Sequence, residues 1–121
     1  MAATKVRTSI WASQSLSAGG GDTTSTAVNL DDGYGAQVNI KLTNGATGPT
    51  IAAQVIIQFS ADDTTYFDAS VPLVGNTDNS GVESWSVPVP IGVEYIELVA
   101  GSNTGQAVTV DADISEVTAV S

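Results

Sequence analysis

Residues 35–60, which read GAQVNIKLTNGATGPTIAAQVIIQFS, contain the pattern that decides the fold class. Apolar and polar side chains alternate along the first part of this stretch. The apolar set is Ala36, Val38, Ile40 and Leu42, and the polar set is Gln37, Asn39, Lys41 and Thr43. Successive side chains of a β-strand point to opposite faces, so the alternation predicts a strand with one buried face and one wet face.

The same alternation returns after a turn. Residues 44–49 read NGATGP, and these residue types accept a positive φ angle or fix φ, as turns require. Beyond them, apolar residues occupy every second position of 50–60, namely Ile51, Ala53, Val55, Ile57 and Phe59. The two runs are therefore predicted to pair with each other as a β-hairpin closed by a loop of several residues.

Six further strands are predicted on either side of this pair, and sustained helical spacing of apolar residues is absent. They cover residues 6–13, 25–30, 66–69, 82–89, 93–100 and 106–117. Pro88 and Pro90 indicate that the 82–89 strand either lies at a sheet edge or ends early, because proline has no amide hydrogen to donate to a neighbouring strand. About eight antiparallel strands separated by turns predict an all-β chain, a single-domain β-sandwich that is jelly-roll-like.

The length of 121 residues is enough for one domain with one hydrophobic core. Within it we distinguish two parts. Residues 1–24 are predicted to form an N-terminal arm and first strand with a glycine-rich loop, and residues 25–121 the sandwich body. The start of the chain carries two charges and no apolar run, so we expect no secretory signal and synthesis in the cytoplasm.

Composition argues against catalysis. The chain has no cysteine and no histidine, which removes thiolate chemistry and the commonest general base and transition-metal ligand. Serine and threonine are abundant, but a serine–lysine pair would need Lys5 or Lys41, and the place of Lys41 on a wet strand face does not favour a depressed pKa. We therefore expect no enzymatic activity.

The charge balance is strongly acidic. The chain has thirteen acidic residues and only three basic ones, Lys5, Arg7 and Lys41, which gives a net charge of −10. Such a surface repels phosphate backbones and anionic lipids, so nucleic acid and membranes are not expected as partners.

Pairs of acids are the only candidate metal ligands. Asp31 with Asp32, and Asp62 with Asp63, offer the hard oxygen ligands that calcium takes. Asp111 and Asp113, two apart on one strand, share a face and are expected to meet solvent. None of these pairs belongs to an ordered ligand series, and aspartate commonly caps turns. We therefore expect no cofactor and keep calcium at Asp31, Asp32, Asp62 or Asp63 as the alternative.

Aromatic residues are the remaining candidates for binding. Trp85 alternates with Val87, which is typical of a core or edge position. Trp11 follows two basic residues near the N-terminus, and we expect it to anchor on a neighbouring subunit as the alternative to a structural position. Tyr34 and Tyr66 are candidates for a platform on which a sugar ring stacks.

Several segments resemble known protein families. Residues 59–67, FSADDTTYF, resemble a hairpin found in β-sandwich modules such as discoidin-like domains. Over residues 25–117 the chain is similar to small virion proteins of tailed bacteriophages, the capsid decoration (cement) proteins and related head modules. The similarity lies in the run GYGAQVNIKLTNG over 33–45, in Trp85 before a proline-rich edge, and in the apolar ending 108–120.

This resemblance implies a jelly-roll trimer on the capsid surface of a virion, assembled after synthesis in the host cytoplasm. The trimer would sit where capsid hexamers and pentamers meet and bridge subunits of the major capsid protein. Residues 2–11 would then belong to the clamp, with Lys5 and Arg7 meeting an acidic capsid surface and Trp11 as an anchor. The alternative is a carbohydrate-binding or adhesin module of a tail fibre or tip, which would use Tyr34 and Tyr66.

Overall fold

The computed structural model describes residues 3–30 and 34–120, and its regular structure there consists of ten β-strands. Six strands are long and four contain two residues each. In chain order they are β1 (Ala3–Leu16), β2 (Thr23–Thr24), β3 (Val28–Asn29), β4 (Ala36–Asn44), β5 (Gln54–Ser60), β6 (Phe67–Asp68), β7 (Leu73–Val74), β8 (Val82–Val89), β9 (Tyr95–Gly101) and β10 (Val108–Val120). In this part of the chain, no helix is long and apolar enough to cross a membrane.

The strands form two antiparallel sheets. Sheet A has the order β1-β10-β4-β8, and sheet B has the order β2-β9-β5-β6, with β3 beside β9 and β7 beside β5. The prediction of an all-β sandwich is confirmed. Each of the eight predicted strands is present, and the two strands that the sequence pattern did not indicate, β2 and β7, have two residues each.

The core lies between the sheets and is built by the alternation that the sequence displays. Val38, Ile40 and Leu42 on β4 are at most 2% exposed, as are Val55 and Ile57 on β5. They pack with the inward residues of the other long strands, Leu16, Ile96, Leu98, Val108, Val110 and Ile114. Each such side chain stabilises the fold by about 1.5–3 kcal/mol through the apolar surface that it removes from water.

The predicted hairpin of the 35–43 and 50–60 runs is wrong. β4 pairs with β10 and β8 in sheet A, whereas β5 pairs with β9, β6 and β7 in sheet B. The connection 45–53 crosses from one sheet to the other, and Ile51 forms an isolated bridge with Thr104 on the way. Alternation specifies which face of a strand is buried but not which strand lies beside it, so a hairpin and a crossover have the same pattern.

The two edges of sheet A are β1 and β8. The edge position predicted for β8 from its prolines is confirmed. β1 pairs with β10 from Ala3 to Leu16, with three register shifts, so residues 3–16 form a strand of sheet A. Bulges of this kind, including Ser13 with a φ of 52°, twist an edge strand and reduce its tendency to pair with other chains.

The loops gather at two ends of the sandwich. At one end lie loops 17–22, 45–53, 75–81 and 102–107, which we call the asparagine end because Asn44 and Asn103 are buried there. At the other lie residues 34–35, 61–66 and 90–94, which we call the tyrosine end because it carries Tyr34, Tyr66 and Tyr95.

Candidate functional site

The outer face of sheet A is polar across all four strands, and we call it the polar face. Its side chains alternate with core residues such as Ile40 and Ala112, so they point away from the core. Its side chains include Lys5, Arg7 and Ser9 on β1, Asp111 and Asp113 on β10, Asn39 and Lys41 on β4, and Ser84 and Ser86 on β8.

A chain of side-chain hydrogen bonds crosses the polar face from one edge strand to the other. Arg7 donates from Nε to Asp113 Oδ2 at 2.9 Å, and its Nη2 lies 2.7 Å from the same oxygen. Asn39 Nδ2 donates to Asp113 Oδ1 at 2.9 Å, and Ser86 Oγ donates to Asn39 Oδ1 at 2.7 Å. The polar side chains of four strands are thereby held in one arrangement before any partner arrives.

Asp113 is the centre of this network and is ionised at neutral pH. Partial burial on its own would raise the pKa of Asp113, but the hydrogen bonds from Asn39 and Arg7 and the positive charge of Arg7 outweigh it. The pKa of Asp113 therefore lies below its usual value of 3.8. Arg7 remains 73% exposed, so the ion pair orders the surface more than it stabilises the fold.

A shallow groove of about 490 Å³ lies in the middle of the polar face. β1 and β8 form its sides, and β10 and β4 form its floor. Lys41 and Asp111 are opposite each other on the floor, and Ser84 is the cross-strand neighbour of Lys41 on β8. Asp111 Oδ1 accepts from the backbone amide of Ser13 at 2.8 Å, which ties the bulge of β1 to the floor.

Charge is distributed unevenly over the molecule. All three basic residues of the chain, Lys5, Arg7 and Lys41, are on the polar face. Among the acidic residues in ranges 3–30 and 34–120, only Asp111 and Asp113 share it, and the chain outside this face has no lysine or arginine. The polar face is therefore the part of the surface where an acidic partner meets the least repulsion.

The structure places the residues predicted to form an interface in two environments. Lys5 and Arg7 are exposed on the polar face, where a partner can reach them. Trp11 is only 8% exposed and packs in the core opposite Ala112, which corrects the expectation that its ring anchors on a neighbouring subunit. The bulges of β1 on either side of Trp11 turn its side chain inward.

Tyr34 and Tyr66, the alternative ligand-binding residues, both lie at the tyrosine end. Tyr34 is 56% exposed, and its backbone amide donates to the Val117 carbonyl. Tyr66 is half-buried and donates its hydroxyl hydrogen to Asp63. Burial, this hydrogen bond and the charge of Asp63 raise the pKa of Tyr66, and burial followed by the same charge raises the pKa of Glu97 nearby.

The candidate calcium ligands have other roles where they are described. Asp62 Oδ1 accepts from the backbone amides of Thr64 and Thr65 and from Ser60 Oγ, so it caps the turn after β5. Asp31 and Asp32 lie outside the described residues. Within the described ranges, no group of three or more acidic side chains is arranged to hold a metal ion.

Sequence reasoning did not identify the groove, although it contained part of the signal. Alternation put Lys41 on a wet face and put Asp111 and Asp113 on a common face. What the sequence did not reveal is that β10 lies between β1 and β4, which brings Asp113 between Arg7 and Asn39. That adjacency joins strands far apart in the chain.

No protein-family model matches the chain, and no curated protein matches it in sequence. Solved structures do share its fold. A protein of the T13 particle of infectious bursal disease virus matches with a TM-score of 0.63 and 12% identity, over 95% of this chain and 31% of the viral one. The SPBc2 prophage-derived protein YomS matches with a TM-score of 0.55 and 12% identity, over 95% of this chain and 96% of that one.

A third similar structure is the K3 cleaved adhesin domain of Lys-gingipain from Porphyromonas gingivalis W83. Its TM-score is 0.55 at 11% identity, over 78% of this chain and 63% of that domain. The chain thus spans less than two thirds of the adhesin domain and about a third of the viral chain. These similarities show a β-sandwich fold that also occurs in a viral-particle protein, a prophage-derived protein and an adhesin domain.

Proposed function

We propose that the chain is a phage virion structural protein, a capsid decoration (cement) protein that stabilises the head by bridging subunits of the major capsid protein. The observation that carries this proposal is the concentration of every basic side chain on the polar face. The fold that the chain shares with a viral-particle protein and a prophage-derived protein supports it.

The physical basis is docking of a rigid sheet on an acidic shell. The network from Arg7 to Ser86 fixes the polar side chains beforehand, so little side-chain entropy is lost when a partner covers them. A protein that binds only the assembled shell stabilises that state by mass action. The acidic remainder of the chain then faces away from the contact and does not attract nucleic acid.

The proposed assembly is a homotrimer on the capsid surface. Trimers of this kind close by a heterologous contact, in which two different surfaces of each copy meet. In the single chain, β1 and β8 each have one edge without a neighbouring strand of sheet A, and they are the first surfaces to test for contact between copies.

Binding to heads of the phage or prophage that encodes the chain tests the proposal. Purified protein is mixed with heads that lack it, and the bound fraction is measured by co-sedimentation. We expect saturable binding and a higher temperature of head disruption. The double variant Lys5→Gln/Arg7→Gln should bind at least several-fold more weakly, because it removes two of the three cations from the docking face.

A variant with the same change in net charge serves as control. Thr26→Glu/Ala69→Glu alters two exposed positions away from the polar face and also lowers the net charge by two. It should bind heads as the wild type does at moderate salt. Equal losses in both double variants would mean that overall charge governs binding, and wild-type protein that fails to bind heads would refute the proposed function.

A carbohydrate-binding or adhesin module is the second candidate. The observation that favours it is that Tyr34 and Tyr66, together with the acidic turn 61–66, lie at one end of the sandwich. Exposed aromatic rings beside carboxylates stack on sugars and bind their hydroxyl groups. Glycan-array binding that is lost in Tyr34→Ala/Tyr66→Ala, or on chelation of calcium, would favour this candidate over the decoration protein.

A further inference from the structure

β1 is an edge strand that depends on one neighbouring strand. Among the described strands its backbone pairs only with β10, from Ala3 to Leu16. β10 is held on its other side by β4, so it stays in sheet A whichever chain supplies the strand beside it. The β1 strand of a second copy has the same sequence and fits this position in the same register.

Burial along β1 is uneven. Every residue from 4 to 9 is exposed, so both faces of the strand meet solvent there. The second half of the strand is anchored in the core by Trp11, which is 8% exposed, and by Leu16, which is 1% exposed. A donated strand brings both anchors with it, so the receiving copy loses no core packing.

Loop 17–22 joins β1 to β2 and reads SAGGGD, with every residue exposed. Gly19 and Gly21 have φ values of 65° and 83°, which residues with a Cβ adopt only with strain, and a Cβ at position 20 would lie 2.9 Å from that of Ser17. The closed turn therefore depends on glycine, whereas an extended linker does not. Extended, the loop spans about 20 Å, twice the spacing of packed sheets, which is enough to lead β1 to another copy.

We propose that β1 is exchanged between copies of the chain, so that residues 3–16 of one copy pair with β10 of the next. Trp11 and Leu16 of the donated strand then fill the core of the receiving copy, and Arg7 of the donor pairs with Asp113 of the receiver. This inference rests on the proposed homotrimer, because it names the segment that joins its copies. The polar face of each copy is then built from two chains.

The closed and exchanged forms make the same contacts between β1 and the rest of the fold. Their balance is therefore set by the conformation of loop 17–22 and by the concentration of copies. Copies that are held side by side on a shell meet at an effective concentration on the order of millimolar, which favours exchange.

A disulfide between β1 and β10 reports which chain supplies the strand. The chain has no cysteine, so Ser15→Cys/Thr109→Cys introduces one pair, at cross-strand neighbours. Opposite residues of antiparallel strands have Cα atoms about 4.5–5.5 Å apart, which a disulfide can bridge. The variant is refolded from urea at several protein concentrations, oxidised with glutathione disulfide and separated on a non-reducing denaturing gel. We expect covalently linked trimers whose share rises with protein concentration.

The matched control is Thr43→Cys/Val82→Cys, which joins cross-strand neighbours of β4 and β8. These strands belong to one chain in both forms, so this disulfide should form within a chain at every concentration. Linked products in equal amounts from both pairs would mean that the linkage is unspecific, and the inference would be overturned.

Loop variants test the hinge. A Cβ at position 19 or 21 meets no atom within 4 Å, so Gly19→Ala/Gly21→Ala acts through φ alone and penalises the closed turn. In the Ser15→Cys/Thr109→Cys background it should raise the ratio of linked to unlinked chains about tenfold or more. Insertion of Gly-Ser-Gly-Ser after Gly20 eases closure and should lower that ratio. Disulfides that form only within a chain, in the original and in the alanine loop, would overturn the inference.

Head binding separates this inference from the proposed function. If wild-type protein binds heads but Ser15→Cys/Thr109→Cys forms its disulfide within a chain in solution and on heads, the inference fails alone. If chains are linked in solution but wild-type protein does not bind heads, the proposed function fails and the exchange stands. Linked dimers in place of trimers would support exchange of β1 and contradict the proposed homotrimer.

Discussion

The two ends of the sandwich differ in how their loops are held. At the asparagine end, Asn44 Nδ2 donates to the carbonyls of Asn76 and Asp78, and Asn103 Nδ2 donates to the carbonyls of Leu16 and Gln106. Both asparagines are buried. At the tyrosine end, the turn 61–65 is exposed at every residue and is closed by its own side chains.

Because of this difference, the asparagine end contributes to the stability of the fold, whereas the exposed turn at the tyrosine end is a surface that a partner can reach. Hydrogen bonds between distant loops and tight backbone contacts make the asparagine end part of the folding unit, so changes there act on the whole molecule. The 61–65 turn of the tyrosine end is closed locally, so its surface can change without affecting the core. Sequence variation between related binding proteins is expected at such an end.

The largest effect should come from Gly48→Ala at the asparagine end. A Cβ at position 48 would collide with the Thr77 carbonyl oxygen and lie 2.7 Å from that of Asp78, both backbone atoms that do not move easily. We expect the free energy of unfolding to fall by about 2–4 kcal/mol. Urea denaturation measures it.

The matched control for this glycine is Gly92→Ala in the 90–94 loop of the tyrosine end. A Cβ at position 92 meets no atom within 4 Å. The control should change stability by less than about 0.5 kcal/mol. Comparable losses in both variants would contradict the distinction between the two ends.

The next effect should come from Asn103→Ala, which deletes the amide that joins the ends of β1 and β10. The Leu16 and Gln106 carbonyls would lose their donor, and we expect a loss of about 2–3 kcal/mol in the free energy of unfolding. Asn103→Asp should be at least as damaging, because a carboxylate would face two carbonyl oxygens. An aspartate variant as stable as the wild type would show that the amide donor is not what holds this end.

A smaller, pH-dependent effect is expected at the tyrosine end. Hydrogen bonds from the backbone amides of Thr65 and Thr64, followed by the one from Ser60, lower the pKa of Asp62 below its usual 3.8. Since the unfolded chain then binds a proton more readily than the folded chain, the contribution of Asp62 to stability is present above pH 4 and is lost as the pH falls through its folded pKa.

Asp62→Asn isolates that contribution. The amide oxygen can still accept from the turn but does not titrate, so the fall in stability between pH 5 and pH 3 should be shallower than in the wild type. Thermal unfolding at fixed ionic strength measures the difference. The low pKa of Asp113 adds a slope of the same sign, which Asp113→Asn would remove separately. If stability falls equally steeply with decreasing pH in the wild type and in Asp62→Asn, the ionised Asp62 cap does not contribute to stability.

The smallest effect should come from Tyr34→Ala. More than half of this side chain is exposed, and the hydrogen bond at Tyr34 is made by its backbone amide, which alanine retains. The free energy of unfolding should stay within about 0.5 kcal/mol of the wild type. A larger loss would mean that the ring supports the fold and would weaken the comparison of the two ends.

The sequence predicted well which residues form strands and which face of each strand is buried, but it did not predict which strands pair with each other. Alternation placed Val38 and Ile40 in the core and Lys41 in solvent, because the face of a strand is a property of consecutive residues. Alternation does not indicate which strand lies beside a given strand. The hairpin predicted for β4 and β5 was wrong for that reason. The groove depends on β10 lying beside β1 and β4, so no local pattern contained it.

Trp11 shows a second limit. Its neighbours in the sequence, two basic residues before and a glycine-rich stretch after, are typical of a mobile arm that carries an anchor. Register shifts of β1 at Ser9–Trp11 and Trp11–Gln14 decide the direction of the ring instead, and a bulge leaves no mark in the alternation that precedes it.

The pairing of β1 with β10 has a mechanical consequence. Ala3 lies opposite Val120, so the first and last described residues emerge side by side at the tyrosine end. Tension applied between them would act across the two strands and peel their hydrogen bonds apart one pair at a time, starting from that end. Strain that enters through the polar face is instead shared among four strands at once. The pairing of β1 with β10 is therefore expected to yield to tension applied at residues 3 and 120 more readily than sheet A yields to strain spread across its four strands.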